Sequence, residues 1–231
     1  MKKIAILQSN YIPWKGYFDL INMVDEFVLY DDMQYTKRDW RNRNKIQTGH
    51  GLKWLSIPVE VKGKYHQKIS TTKVSDKDWG KKHWASIEQN YSKAPYFKKY
   101  ENIFKDLYLN NNEEYLSEIN YNFITAICGI LGITTKIRWS SDFELVDGQT
   151  EKLLGICKDC NADIYLSGPA AKGYFDEALA EKENIKVEWM DYAGYKEYSQ
   201  LFEPFDHGVT ILDLIFNEGE NATKYMKSFG A

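Results

Sequence analysis

The chain has 231 residues, 43% hydrophobic and 27% charged, with a net charge of −3 and a pI near 5.9. It is long enough to bury a sizeable core without disulfides or a structural metal, and its mild acidity argues against a general affinity for nucleic acid. No apolar run approaches the ~20 residues of a membrane span, and only residues 4–7 follow Lys2 and Lys3, so a signal peptide is not expected and the chain reads as cytoplasmic. One α/β domain over residues 1–231 is expected, with a helical insertion at about 79–131, a second α/β portion at about 136–192 and a C-terminal helix at about 210–217.

Residues 4–7 (Ile-Ala-Ile-Leu) form a continuous apolar run, as expected of a strand buried on both faces. Gln8, Ser9 and Asn10 follow where that strand should end. Pro13 and Gly16 punctuate a turn, and 17–24 reads as a helix. A second strand over 26–30 closes a βαβ unit, so Asp31 and Asp32 belong at the same sheet edge as the first turn. Ligands of open α/β sheets bind just beyond the carboxyl ends of strands. Paired acids there would hold a metal or a substrate amine, act as a base, or simply cap the next turn.

Between Lys37 and Lys45 there are five cations and one Asp, with Arg38, Arg41 and Arg43 among them. Arginine forks suit phosphate, and asparagines suit sugar or base, although a solvated charge run reads the same way. Residues 54–59 predict a third strand ending near Pro58, and 62–78 an irregular loop long enough to act as a lid. Helical spacing governs 79–131, where Trp84, Ile87 and Tyr91 and then Ile103, Phe104 and Leu107 recur; His83 lies on the first of these helices. Further strands are expected at 136–139, 162–166 and 186–189, with helices at 150–160 and 170–182. Ser167 and Gly168 end one of these strands ahead of Pro169, where a helix terminus offers backbone N–H groups to an anion. Cys157 and Cys160 form a CxxC with no completing pair, which reads as two small side chains on one helix face, and no metal site is assigned.

Gln8-Ser9-Asn10-Tyr11-Ile12-Pro13-Trp14-Lys15-Gly16-Tyr17 resembles the opening signature of the WbqC-like protein family. Arg41-Asn42-Arg43-Asn44-Lys45-Ile46, Tyr165-Leu166-Ser167-Gly168-Pro169 and Phe202-Glu203-Pro204-Phe205 resemble further blocks of it. The resemblance implies a bacterial cytoplasmic protein associated with O-antigen and other surface-polysaccharide loci, with modification of amino sugars by acyl or glycyl groups as the suspected activity. Trp14-Lys15-Gly16-Tyr17 also resembles, more distantly, the HxGH window of nucleotidylyltransferases. Its central Gly is kept and both histidines are replaced, so Lys15 would have to supply the charge.

The expected function is acyl or aminoacyl transfer to the amine of a nucleotide-linked amino sugar. Asp31, Asp32 or His83 would be the base, Gln8, Asn10 or Tyr17 the oxyanion donors, and Arg38, Arg41, Arg43 or Lys45 the diphosphate clamp. Trp14 and Lys15 would complete the floor of the pocket. ATP, if it activates the acid, would sit at the first turn and Ser167-Gly168. The alternatives are a nucleotidyltransferase-like or ATP-dependent ligase acting on another small substrate, and a non-catalytic sugar-nucleotide-binding protein of an assembly complex. Oligomeric state is left unassigned.

Overall fold

A computed structural model describes residues 1–230. Its centre is the strand β1 (Lys3–Leu7), whose Ile4 and Ala5 have no exposed surface. Side chains alternate along a strand, so Ile4 and Ile6 enter one hydrophobic cluster while Ala5 and Leu7 face another. With both faces covered, every residue of the run must be apolar.

Helix α1 (Lys15–Asn22) carries the chain to β2 (Glu26–Leu29), which lies parallel to β1. The helix begins two residues earlier than the spacing suggests, directly after Trp14. The segment that follows corrects the expected third strand. Residues β3 (Arg43–Thr48) and β4 (Gly51–Ser56) form an antiparallel hairpin outside the main sheet. Its loop is too short for a parallel crossover, which needs a dozen residues or more. Gly51 takes φ +95°, and the Thr48 hydroxyl donates to its carbonyl at 2.7 Å, closing the turn. β3 escapes sequence reading because polar Asn44 occupies its buried face beside Ile46.

The loop across 62–78 is fastened rather than free, with Ile69 and Thr72 fully buried and isolated bridges joining Gln34 to Lys68 and Val59 to Val74. Helices α2 (Trp79–Tyr91), α3 (Phe97–Leu109) and α4 (Leu116–Leu131) follow as expected. Helices α2 and α3 approach so closely at Gly80 that a Cβ there would lie 2.0 Å from the Tyr108 carbonyl oxygen. Backbone cannot yield as a side chain can, so Gly80→Ala is expected to cost about 3 kcal/mol, read as a lowered thermal midpoint.

The second half adds β5 (Lys136–Trp139), α5 (Gln149–Asp159), β6 (Ile164–Ser167), α6 (Glu177–Lys182), β7 (Lys186–Trp189) and α7 (Ile211–Glu218). The expected helix over 170–182 is broken: a short 3-10 turn spans Pro169–Gly173, and Asp176 starts α6 afresh by accepting from Leu179 N at 3.0 Å. The five sheet strands run β5-β2-β1-β6-β7, all pairings parallel, with helices on both faces. This is the mostly parallel, Rossmann-like α/β sheet expected, with β1 at its middle. No helix among the described residues is long and apolar enough to cross a membrane.

Candidate functional site

Three segments distant in sequence meet beyond the carboxyl end of β1. Backbone hydrogen bonds join them: Tyr11 N to Trp40 O at 3.0 Å, Thr210 N to Lys45 O at 2.9 Å, and Ile211 N to Pro13 O at 3.0 Å. Between them lies a cavity of about 350 Å³. The first turn contributes Asn10, Pro13 and Trp14, the hairpin and its approach contribute Trp40 and Asn44, and the segment before α7 contributes His207 and Gly208.

The first turn is strained. Ile12 has φ +37°, a conformation that a β-branched side chain rarely adopts. Buried Asn44 holds it by donating from one amide nitrogen to the Tyr11 and Ile12 carbonyls at 3.2 and 2.8 Å. Trp14 lies over the backbone of Gly16, where a Cβ would come within 2.4 Å of the indole, and it packs against Tyr192 and Tyr195. Gly16 therefore serves the seating of Trp14.

Beneath the cavity floor Lys15 is almost fully buried; its ammonium donates to the Lys196 carbonyl at 3.0 Å and sits 5.0 Å from the rings of both Tyr195 and Tyr198. Burial pulls its pKa down to about 8, against the opposing pull of Asp19 and Asp213. Arg41 reaches the turn from behind, donating to the Asn10 side-chain oxygen and facing Asp39 at 3.8 Å. Lys45 stands at the rim, its ammonium 3.5 Å from where a Gly208 Cβ would be.

His207 has the chemistry of a base here. Its Nδ1 is buried without a hydrogen-bond partner, and the ring packs edge-on against Phe205. Burial first, and the nearby Lys15 charge second, lower its pKa, outweighing Glu197 and Asp206. The imidazole is consequently mostly neutral at pH 7, and with Nδ1 closed off, Nε2 is the nitrogen open to take a proton.

The three groups expected as base lie elsewhere. Asp31 sits below the turn, accepting from Ser9 N at 2.8 Å and from the Ser117 hydroxyl. Burial raises its pKa despite those bonds. Asp32 accepts from Lys68 and Ser140 at 2.7 and 2.8 Å, and these bonds outweigh burial to hold its carboxyl below the usual range. His83 is in the helical core: burial lowers its pKa to about 4, and the neutral ring meets the Tyr11 hydroxyl at 2.8 Å and the Ser56 carbonyl at 3.2 Å.

Of the other residues singled out from sequence, Asn10 and Trp14 line the cavity, with Lys15, Arg41 and Lys45 around it. Tyr17 is buried, its hydroxyl donating to the Gln8 carbonyl at 3.0 Å. Arg38 is exposed with φ +60°, and its carbonyl accepts from Arg43. Ser167 donates to the Tyr165 hydroxyl at 3.2 Å, and Gly168 lies near Tyr192, outside the lining. Trp40, Asn44, His207 and Gly208 also line the cavity, though none is singled out by number as a site residue from the sequence. The first two lay inside the basic stretch, and His207 stood in a Pro- and Gly-containing connection ahead of the last helix.

The sequence model of the WbqC-like protein family matches residues 8–225, which runs from the first turn through α7. The chain belongs to the WbqC-like protein family. It is also similar to the uncharacterized protein Rv1507c of Mycobacterium tuberculosis (strain ATCC 25618 / H37Rv), with 51% identity over 227 residues, 98% of each chain. No solved structure matches. The family match takes in every residue that lines the cavity.

Proposed function

We propose that this WbqC-like protein is an enzyme that binds a nucleotide-linked amino sugar in the cavity beyond β1 and transfers an acyl or aminoacyl group to its amine. The observation that carries the reading is the meeting of His207, whose Nε2 is the ring nitrogen left open, with two indoles and the Lys45 cation around about 350 Å³ of space. Sugar rings present flat apolar faces, which Trp14 and Trp40 suit, and hydroxyls, which suit the Asn10 amide. The uncharged amine attacks the carbonyl of an activated acyl donor such as a thioester or acyl phosphate; the C–N bond forms, the thiolate or phosphate leaves with the bonding pair, and the amine's proton passes to the neutral imidazole. Asn10 already accepts from Arg41 through its oxygen, so its amide N–H2 remains to donate to the oxyanion or a sugar hydroxyl. Lys45 and, further out, Arg43 supply positive charge for phosphates. Surface-polysaccharide synthesis is the setting that the family suggests for such chemistry.

Calorimetric titration with nucleotide-linked amino sugars, followed by assay for an acylated amine, tests the reading. In the same titration, loss of one charge-assisted contact predicts that Arg43→Ala weakens binding by roughly tenfold with the fold unchanged. Unchanged affinity in that variant removes Arg43 from the phosphate clamp, and a wild-type protein that binds no sugar nucleotide removes the function itself.

A further inference from the structure

Trp40 and Trp54 are 41% and 42% exposed, unusual for indoles, and their rings lie 5.4 Å apart at 39°. They come from different places: Trp40 from the approach to β3, Trp54 from the middle of β4. Trp54 is paired with Lys45 across the hairpin, and Arg43 stands two residues along on the same face. The Arg43 guanidinium stacks on Trp54 at 4.1 Å, and the Lys45 ammonium lies 5.8 Å from Trp54 and 6.0 Å from Trp40.

A structural role explains part of this, since a stacked arginine supports a hairpin. It does not explain why Trp40, which belongs to neither strand, extends the aromatic surface into the cavity wall. Nor does it explain the cations. Arg43 has no carboxylate within salt-bridge distance among the described residues, its one side-chain hydrogen bond going to the Arg38 carbonyl, while Lys45 has only Asp206 at 4.0 Å. Aromatic faces interleaved with incompletely paired cations, continuous with a small cavity, match the succession of base, phosphates and sugar in one ligand.

We infer that the Trp40–Trp54 pair is a stacking subsite for the base of a nucleotide, with Arg43 and Lys45 holding the phosphates between it and the cavity. The inference rests on the sugar-nucleotide reading above and adds to it where the base is recognised. Stacking uses the π-face that every base has, so the subsite tolerates different bases.

The test titrates wild type, Trp54→Ala and Trp54→Phe with UDP, dTDP, GDP and CDP, and with glucosamine 1-phosphate as a ligand lacking a base. Trp54 is the residue to change because it does not line the cavity. At least one nucleoside diphosphate is expected to bind and to quench tryptophan fluorescence. Trp54→Ala is expected to weaken it roughly tenfold or more, weaken glucosamine 1-phosphate by no more than about threefold through loss of the Arg43 stack, and be largely rescued by Trp54→Phe. Equal weakening of both ligand types, or of neither, overturns the subsite, as does binding of the sugar phosphate without any nucleoside diphosphate. Nucleotide binding that depends on Trp54 without any acylation of an amine leaves the subsite standing and overturns the proposed reaction instead.

Discussion

His207→Asn is expected to lower turnover by about 10²- to 10⁴-fold while affinity for a nucleotide-linked amino sugar changes by less than about threefold, because general-base contributions are of that size and the variant keeps a similar shape. Single-turnover kinetics with parallel calorimetry would separate the two quantities. The pH dependence has a sign fixed by the environment of the ring. Burial and the Lys15 charge hold His207 below the ordinary imidazole value of 6.5, so the active neutral form predominates at pH 7. The limb set by His207 should lie below pH 6.5 and vanish from the residual rate of His207→Asn, leaving only the limb set by the substrate's own amine. Rate loss matched by an equal loss of affinity would make His207 a binding residue.

Asn44→Ala is expected to cost about 3 kcal/mol, lowering the thermal midpoint by roughly 6–12 °C. Asn44 is 2% exposed, and its amide nitrogen is the donor for the carbonyls of Tyr11 and Ile12. Without it two buried acceptors lose that donor, at a residue whose φ of +37° already stores strain. Asn44→Asp separates shape from hydrogen bonding, since a carboxylate keeps the volume but turns an acceptor toward two acceptors. It should be at least as destabilising as Ala. Scanning calorimetry of both variants reads this directly. A midpoint within about 2 °C of wild type would mean that the first turn holds its conformation without Asn44.

The central strands β1, β2 and β6 were legible because they are buried on both faces, where position leaves little freedom of composition, while the edge strands β5 and β7 are only half-buried. Residues 136–139 and 186–189 coincide with β5 and β7, and the polar run after residues 4–7 marks the edge where the cavity opens. The hairpin was not legible, since Arg43, Asn44 and Lys45 look like a charged loop until the Asn44 side chain is seen under the first turn. Helix 170–182 looked continuous because its break depends on Asp176 capping a new start, a local contest between turn and helix. The site divided in the same way. Asn10 and Trp14 follow a buried strand in sequence and could be picked out, whereas His207 joins them only through contacts such as Ile211 N to Pro13 O. Asp31, Asp32 and His83 carry base chemistry by residue type, but their partners are Ser9, Ser117, Lys68, Ser140, Tyr11 and Ser56.

The most direct measurement is a crystal structure with a bound nucleotide-linked amino sugar. The expected result is the sugar between Trp14 and Trp40 with its amine within hydrogen-bond reach of His207 and its phosphates toward Lys45 and Arg43. Ligand density in the open groove along Lys3, Glu188 and Lys227, with the cavity beyond β1 empty, would contradict it.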